Sequence, residues 1–161
     1  MANLAEFSEY KNRLAETFCS DEIIRDLITS EDNIGIIPKE MMYKYVYPYP
    51  YTPDATEKAK SLICFEVNVP NVSSNIIKTV QINVYIITHK NLMRLPDGSG
   101  MRVDVIASEV DRILNGSVDY GLGHVDLLSV HGFTPITGYY GRELRYRVKD
   151  INRTPCSRNY V

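Results

Sequence analysis

Hydrophobic positions along this chain switch between a helical and an alternating period, and the switches mark its elements. Leu4, Phe7, Leu14 and Phe18 recur at helical spacing on one narrow face, which predicts an amphipathic helix over the first eighteen residues. Ser20 and Asp21 are good N-cap types ahead of a second apolar set, Ile23, Ile24, Leu27 and Ile28. The reading is two short helices or one broken helix. Residues 30–60 lose the helical period. Two alternating runs follow: Ile63, Phe65, Val67 and Val69, then Val80, Ile82, Val84 and Ile86. Turn chemistry in PNVSSN joins them, so they predict a β-hairpin.

The loop HKNLMRLPDGSG is punctuated by Pro96, Gly98 and Gly100 and leads into the clearest helical pattern, Met101 to Asn115. Val103, Ile106, Ala107, Val110, Ile113 and Leu114 form its apolar face, and Gly116 stands where a C-terminal cap belongs. Val125 and Leu127 open a third strand. Leu144, Tyr146 and Val148 alternate with charged residues in a fourth, after a turn containing Pro135, Gly138 and Gly141. The expected fold is α+β. N-terminal helices precede a β-β-α-β-β unit forming one mainly antiparallel sheet, with a helix packed on one face. Residues 1–161 form a single domain, divided into a helical segment (1–30), an arm (31–60), an α+β core (61–153) and a C-terminal tail (154–161).

The arm is the unusual stretch. Tyr43 to Asp54 reads YKYVYPYPYTPD, with tyrosines at every second position and Pro48, Pro50 and Pro53 between them. As an extended strand it points Tyr43, Tyr45, Tyr47, Tyr49 and Tyr51 the same way. Its prolines cannot donate to a sheet, which restricts it to an edge strand or an unpaired arm. Polyproline II would instead spread the rings around its axis. Tyrosine supplies contact area with few rotors and proline lowers the entropy lost on docking. The arm therefore either contacts a neighbouring subunit or lies across its own sheet.

Composition changes this picture little: 44% hydrophobic and 24% charged residues over 161 positions describe an ordinary globular chain. The charge is distributed unevenly. Six basic residues fall between Arg142 and Arg158 against Glu143 and Asp150, leaving 12 of the 18 basic and 18 of the 20 acidic residues elsewhere. Such ends can attract one another between identical subunits, or can solvate two faces. Cys19, Cys64 and Cys156 are odd in number and widely spaced, as for unpaired thiols in a reducing compartment. No signal core and no membrane-spanning run is present in the sequence.

Candidate chemistry is thin. His89, His124 and His131 lack metal-ligand spacing. Asp104, Asp111 and Asp126 form a carboxylate set for Mg²⁺ only if the fold gathers them. The glycine turn at 98–100 lacks the spacing of a phosphate loop. The expectation is no enzyme, no metal and no cofactor. Arg145, Arg147 and Lys149 share one strand face, which suits a solvated surface, an acidic protein partner or, as a different class of function, a small nucleic-acid-binding module.

The succession of elements (YPYPYTPD, SLICFEVNV, TVQINVYIITHK, RVDVIASEVDRILNG, GHVDLLSVHGFTP and GRELRYRVKDIN) resembles neck and tail-completion proteins of tailed bacteriophages, tail terminators above all. The resemblance covers roughly residues 36–153. It implies a structural protein of the virion neck, assembled in the host bacterial cytoplasm. As a homo-hexameric ring it would cap the tail tube protein and meet the head-tail connector or stopper, with DNA passing non-specifically through the lumen and no membrane involved. A head-completion or stopper role is the alternative within the same neck. Tyr45, Tyr47, Tyr49, Tyr51, Met93, Arg94, Arg145, Arg147 and Lys149 would then lie at subunit or partner interfaces.

Overall fold

The computed structural model describes residues 6–29, 35–74 and 76–152. Leu4, Arg153 and the predicted tail with Cys156 and Arg158 lie outside the described residues. The chain runs α1 (Glu6–Ser20), α2 (Glu22–Thr29), α3 (Pro38–Met41), β1 (Val46–Tyr47), β2 (Ser61–Val72) and β3 (Ile77–His89). A 3-10 turn (Lys90–Leu92), α4 (Arg102–Leu114), β4 (Leu122–Phe133) and β5 (Tyr139–Ile151) complete it. The fold is α+β, as the periodicities predict.

The break between the first two helices has a local cause. Asp21 Oδ1 accepts from the Ile24 amide at 2.9 Å, satisfying one of the orphan donors at the start of α2. Pro38 begins α3, where its missing N–H costs nothing. Beyond α4, Gly116 takes φ 81, a left-handed position that ends the helix.

The strands lie in the order β1-β2-β3-β5-β4. β2, β3, β5 and β4 pair antiparallel, whereas β1 joins β2 in parallel, so the sheet is mixed. One face carries Ile63, Phe65, Val67, Val80, Ile82, Val84, Ile86, Leu144, Tyr146 and Val148. Against it pack Leu14 and Phe18 of α1, Ile24 and Ile28 of α2, and Val103, Ile106, Val110 and Leu114 of α4. Phe18 meets Phe65 edge to face, with ring centroids 5.7 Å apart. At about 1.5–3 kcal/mol for each fully buried side chain of this size, this layer is the main source of stability.

Alternation predicts one buried sheet face, yet residues 61–65 of β2 are buried without a break. The other face has its own apolar cluster at one end, made of Tyr47, Leu62, Cys64, Ile87 and Tyr139, with Tyr51, Tyr85, Phe133 and Ile136 around it. The tyrosine arm covers that end. Among the described residues no helix is long and apolar enough to cross a membrane.

Candidate interaction surface

The arm is built on a reversal of the chain. Tyr45 N donates to Met41 O at 2.9 Å and Tyr43 N to Val46 O at 2.9 Å, closing a turn in which Tyr43 sits at φ 59. A left-handed tyrosine costs roughly 1–2 kcal/mol and persists only because the surrounding bonds enforce it. β1 then pairs with the edge of β2, Val46 beside Ile63 and Tyr47 beside Cys64. The single-facing row of tyrosines is therefore corrected. Tyr45 enters the core beneath the helices while Tyr47 joins the cluster on the opposite face, each 4% exposed. The two rings proposed as partner contacts are spent inside their own chain, because the turn at Tyr43 and the short β1 strand place them on opposite sides of the sheet.

Past β1 the chain crosses the second cluster. Tyr47 and Tyr51 stack with centroids 4.0 Å apart and planes 3° from parallel. Lys60 Nζ lies 5.5 Å from the Tyr47 ring centroid and 5.3 Å from that of Tyr51, donates to the Tyr47 hydroxyl at 3.1 Å, and pairs with Glu57 at 2.9 Å. The Tyr51 hydroxyl donates to the Glu57 carboxylate. That bond, followed by Lys60, holds the Glu57 carboxyl down at about 2. It also raises Tyr51 above its ordinary value. Burial alone would lower Lys60, but its bonds to Glu57 and Tyr47 leave it raised.

What the arm leaves outside is a second aromatic pair. Tyr43 is 63% exposed and Tyr49 44%, their rings 6.4 Å apart. Tyr49 also rests edge-on against Tyr47 at 5.9 Å. A rigid ring held outward on a buried base is the anchor type favoured at protein interfaces.

The remaining sequence-predicted contacts lie elsewhere. Met93 is partly buried against the main core, and Arg94 is exposed on a loop closed by Arg102 N to Met93 O at 2.7 Å. Arg145, Arg147 and Lys149 oppose Asn83, Gln81 and Thr79 on the open sheet face, in the shared orientation expected. Arg145 meets Glu143 at 2.9 Å and Arg147 approaches Asp126 at 3.9 Å. Beside them runs a polar chain: Gln81 donates to Asn83 at 2.9 Å, Asn83 to Glu66 at 3.1 Å, and Tyr85 to the same Glu66 oxygen at 2.9 Å. The arm and the basic row thus do not form one site. The arm covers the β1 edge and the basic row runs along β5.

The three aspartates are not gathered either. Asp104 accepts from Arg142 Nε at 2.7 Å and Asp111 from the Tyr146 hydroxyl at 3.1 Å, whereas Asp126 lies beside Arg147. Among the described residues no group of three His, Cys, Asp or Glu side chains could hold a metal ion.

Two charged residues escape the sequence reading. Lys78 is fully buried, paired with Glu6 and lying 3.8 Å from Asp150, which also accepts from the Tyr10 hydroxyl. Arg102, 2% exposed, donates from Nε to Leu92 O at 2.8 Å and from Nη1 to Leu27 O. Lys78 shares the alternating register of Val80 and Ile82, a signal that its side chain turns toward the core.

No curated protein matches the sequence. A solved structure of 14% identity covers 69% of this chain and 79% of its own at a TM-score of 0.40. The sequence profile of the YomW family matches residues 20–148, which takes in α2, the arm, the sheet and α4 but for its last strand residues, and the chain belongs to the YomW family.

Proposed function

We propose that this chain is a structural protein of the tailed-phage neck, a tail terminator that caps the tail tube as a ring of six. The family's name comes from a phage-type gene of Bacillus, which points to a phage-related protein. The observation that carries the finer reading is the exposed Tyr43–Tyr49 pair on an arm pinned to its own sheet by Tyr45, Tyr47 and Tyr51. Such an arm binds without first paying an ordering entropy.

In this role the partners are further copies of the chain, the tail tube protein and the head connector. DNA passes through the lumen unread, and the protein resides in the virion after assembly in the bacterial cytoplasm. A stopper role in the same neck is the alternative. The test is electron microscopy of tail tubes polymerised from the tube protein of the same phage, with and without this chain. A terminator gives tubes of arrested length with a ring at one end. Tubes of unchanged length with bare ends overturn the assignment.

A further inference from the structure

β4 is the outer strand of the sheet, and its two halves are treated differently. Around Val125 the outer side is occupied: Gly116 N donates to Val125 O and Val125 N to Ser117 O, each at 2.8 Å, and Leu127 N donates to Asn115 Oδ1 at 3.4 Å. Register shifts between Leu122 and Asp126 and between Leu127 and Ser129 irregularise the same half. From Ser129 to Phe133 the register with β5 is regular. Among the described residues no backbone group of 128–133 bonds outward. Leu128 and Val130 are each 46% exposed there. Sheets usually protect such an edge with Lys, Pro, inward charge or a covering loop. The segment LSVHGF has neither Lys, Pro nor any carboxylate.

We infer that the free protein pairs through this edge with a second copy of itself, β4 against β4 in antiparallel register. The occupant follows from the other end of the sheet. There the outer strand β1 is two residues long and runs into Pro48 and Pro50, which have no N–H to offer. Past β1 the outer side of β2 is also open from Phe65 among the described residues, but that run is broken by the register shift between Asn68 and Asn71 and by Pro70. The longest regular edge a second copy offers is therefore its own β4, and the two-fold arrangement is favoured over head-to-tail extension. Charge permits it. With the axis at Val130, Val130 faces its mate, Ser129 faces His131, and Leu128 faces Gly132, so no like charges are opposed. The seam adds the outward backbone bonds of five residues and covers Leu128 and Val130. It concerns the protein before docking and does not depend on the neck assignment.

The test is the native mass of the full chain by light scattering across a concentration series, for wild type and Val130→Lys. Wild type should approach twice 18.4 kDa. Val130→Lys places two ammonium groups at the axis and should weaken dimerisation by about tenfold or more, with unchanged circular dichroism. Because Val130 is already half exposed, folding should tolerate the change. In a Cys156→Ser background, Val130→Cys should cross-link copies under mild oxidation while Val118→Cys, more accessible at 60% exposure, should not. A mass that is the same for wild type and Val130→Lys, whether monomer or hexamer, overturns the inference. So does equal cross-linking at both positions.

Discussion

The Tyr10 hydroxyl donates to the Asp150 carboxylate across 140 positions of sequence, joining the first helix to the end of the last strand. Lys78, fully buried on β3, lies between that carboxylate and Glu6. Burial and the bond to Asp150 both push the Tyr10 phenol above its ordinary value, keeping it a donor. The cluster fixes α1 to the sheet at the β2–β3 turn end.

Removing the shared cation of this cluster should cost more than removing one of its two carboxylates. Lys78→Met strands the Glu6 and Asp150 carboxylates beside each other and should destabilise by about 3 kcal/mol, whereas Asp150→Ala leaves Lys78 its closer partner Glu6 and should cost less. Urea denaturation of the two variants checks this. A Lys78→Met variant as stable as wild type would mean the packing, not the ion pairs, holds α1.

Arg102 should resist its conservative replacement. Its guanidinium reaches Leu92 O and Leu27 O in two directions, and a lysine cannot cover both. Arg102→Lys should lose roughly 1–3 kcal/mol, the range for hydrogen bonds to a charged group left unmade. Hydrogen exchange should quicken in α2, whose last carbonyls depend on it.

The arm should carry a pH dependence of its own. Glu57 is held at about 2 in the folded protein, below its ordinary 4.5, by Tyr51 and then Lys60. A depressed carboxyl contributes stability that is present above 4.5 and is lost as pH falls through about 2. With twelve tyrosines and no tryptophan, near-ultraviolet circular dichroism reads the Tyr47–Tyr51 stack. Its signal should fall over that window, and Glu57→Gln should show the lowered signal at neutral pH.

Much of the fold was legible because period and burial coincide. The hairpin, α4 and the cap at Gly116 follow from residues whose spacing alone decides which face they occupy. The arm was not, because alternation of Tyr43, Tyr45 and Tyr47 presumes one continuous strand. Tyr43 at φ 59 breaks that strand, an event set by backbone bonds to Met41 and Val46 and by no residue type that favours it. Arg102 was illegible for a related reason, since a charge reads as surface until its partners, Leu27 and Leu92, are brought to it. For Lys78 the register with Val80 and Ile82 signals the direction of the side chain but not its partners Glu6 and Asp150. Of the candidate contacts, the shared face of Arg145, Arg147 and Lys149 was legible, since strand alternation fixes it.

The tyrosines should separate stability from association. Tyr47→Ala removes a 4% exposed ring from the second cluster and should cost about 3–5 kcal/mol, the range for large aromatics. Tyr49→Ala should stay within about 1 kcal/mol of wild type. If the exposed pair binds a partner, only Tyr49→Ala should leave a folded protein that fails to cap tail tubes.

Gly141 should reject even a methyl group. A Cβ there would meet Phe133 Cε1 at 2.6 Å and the Ile86 backbone oxygen at 2.9 Å. The carbonyl belongs to the adjacent central strand and cannot step aside, so Gly141→Ala should cost about 1–3 kcal/mol by overpacking. A thermal melt equal to wild type would show that Phe133 and the strand both yield.

β3 is paired with β5 along its whole length and, on its other side, with β2 from Lys78 to Thr88 but for the register shift between Asn68 and Asn71. Its start is pinned by the Lys78 cluster, and its far end, at Ile87 to His89, lies in and beside the cluster the arm covers. A pull on β3 along its own axis, with β2 and β5 held back, would load both hydrogen-bond ladders in shear, so that many bonds must fail together. The same force applied across the outer strand β4 would open its bonds one pair at a time. The fold is thus mechanically directional, stiff along β3 and weak at the edge that the second copy is inferred to cover.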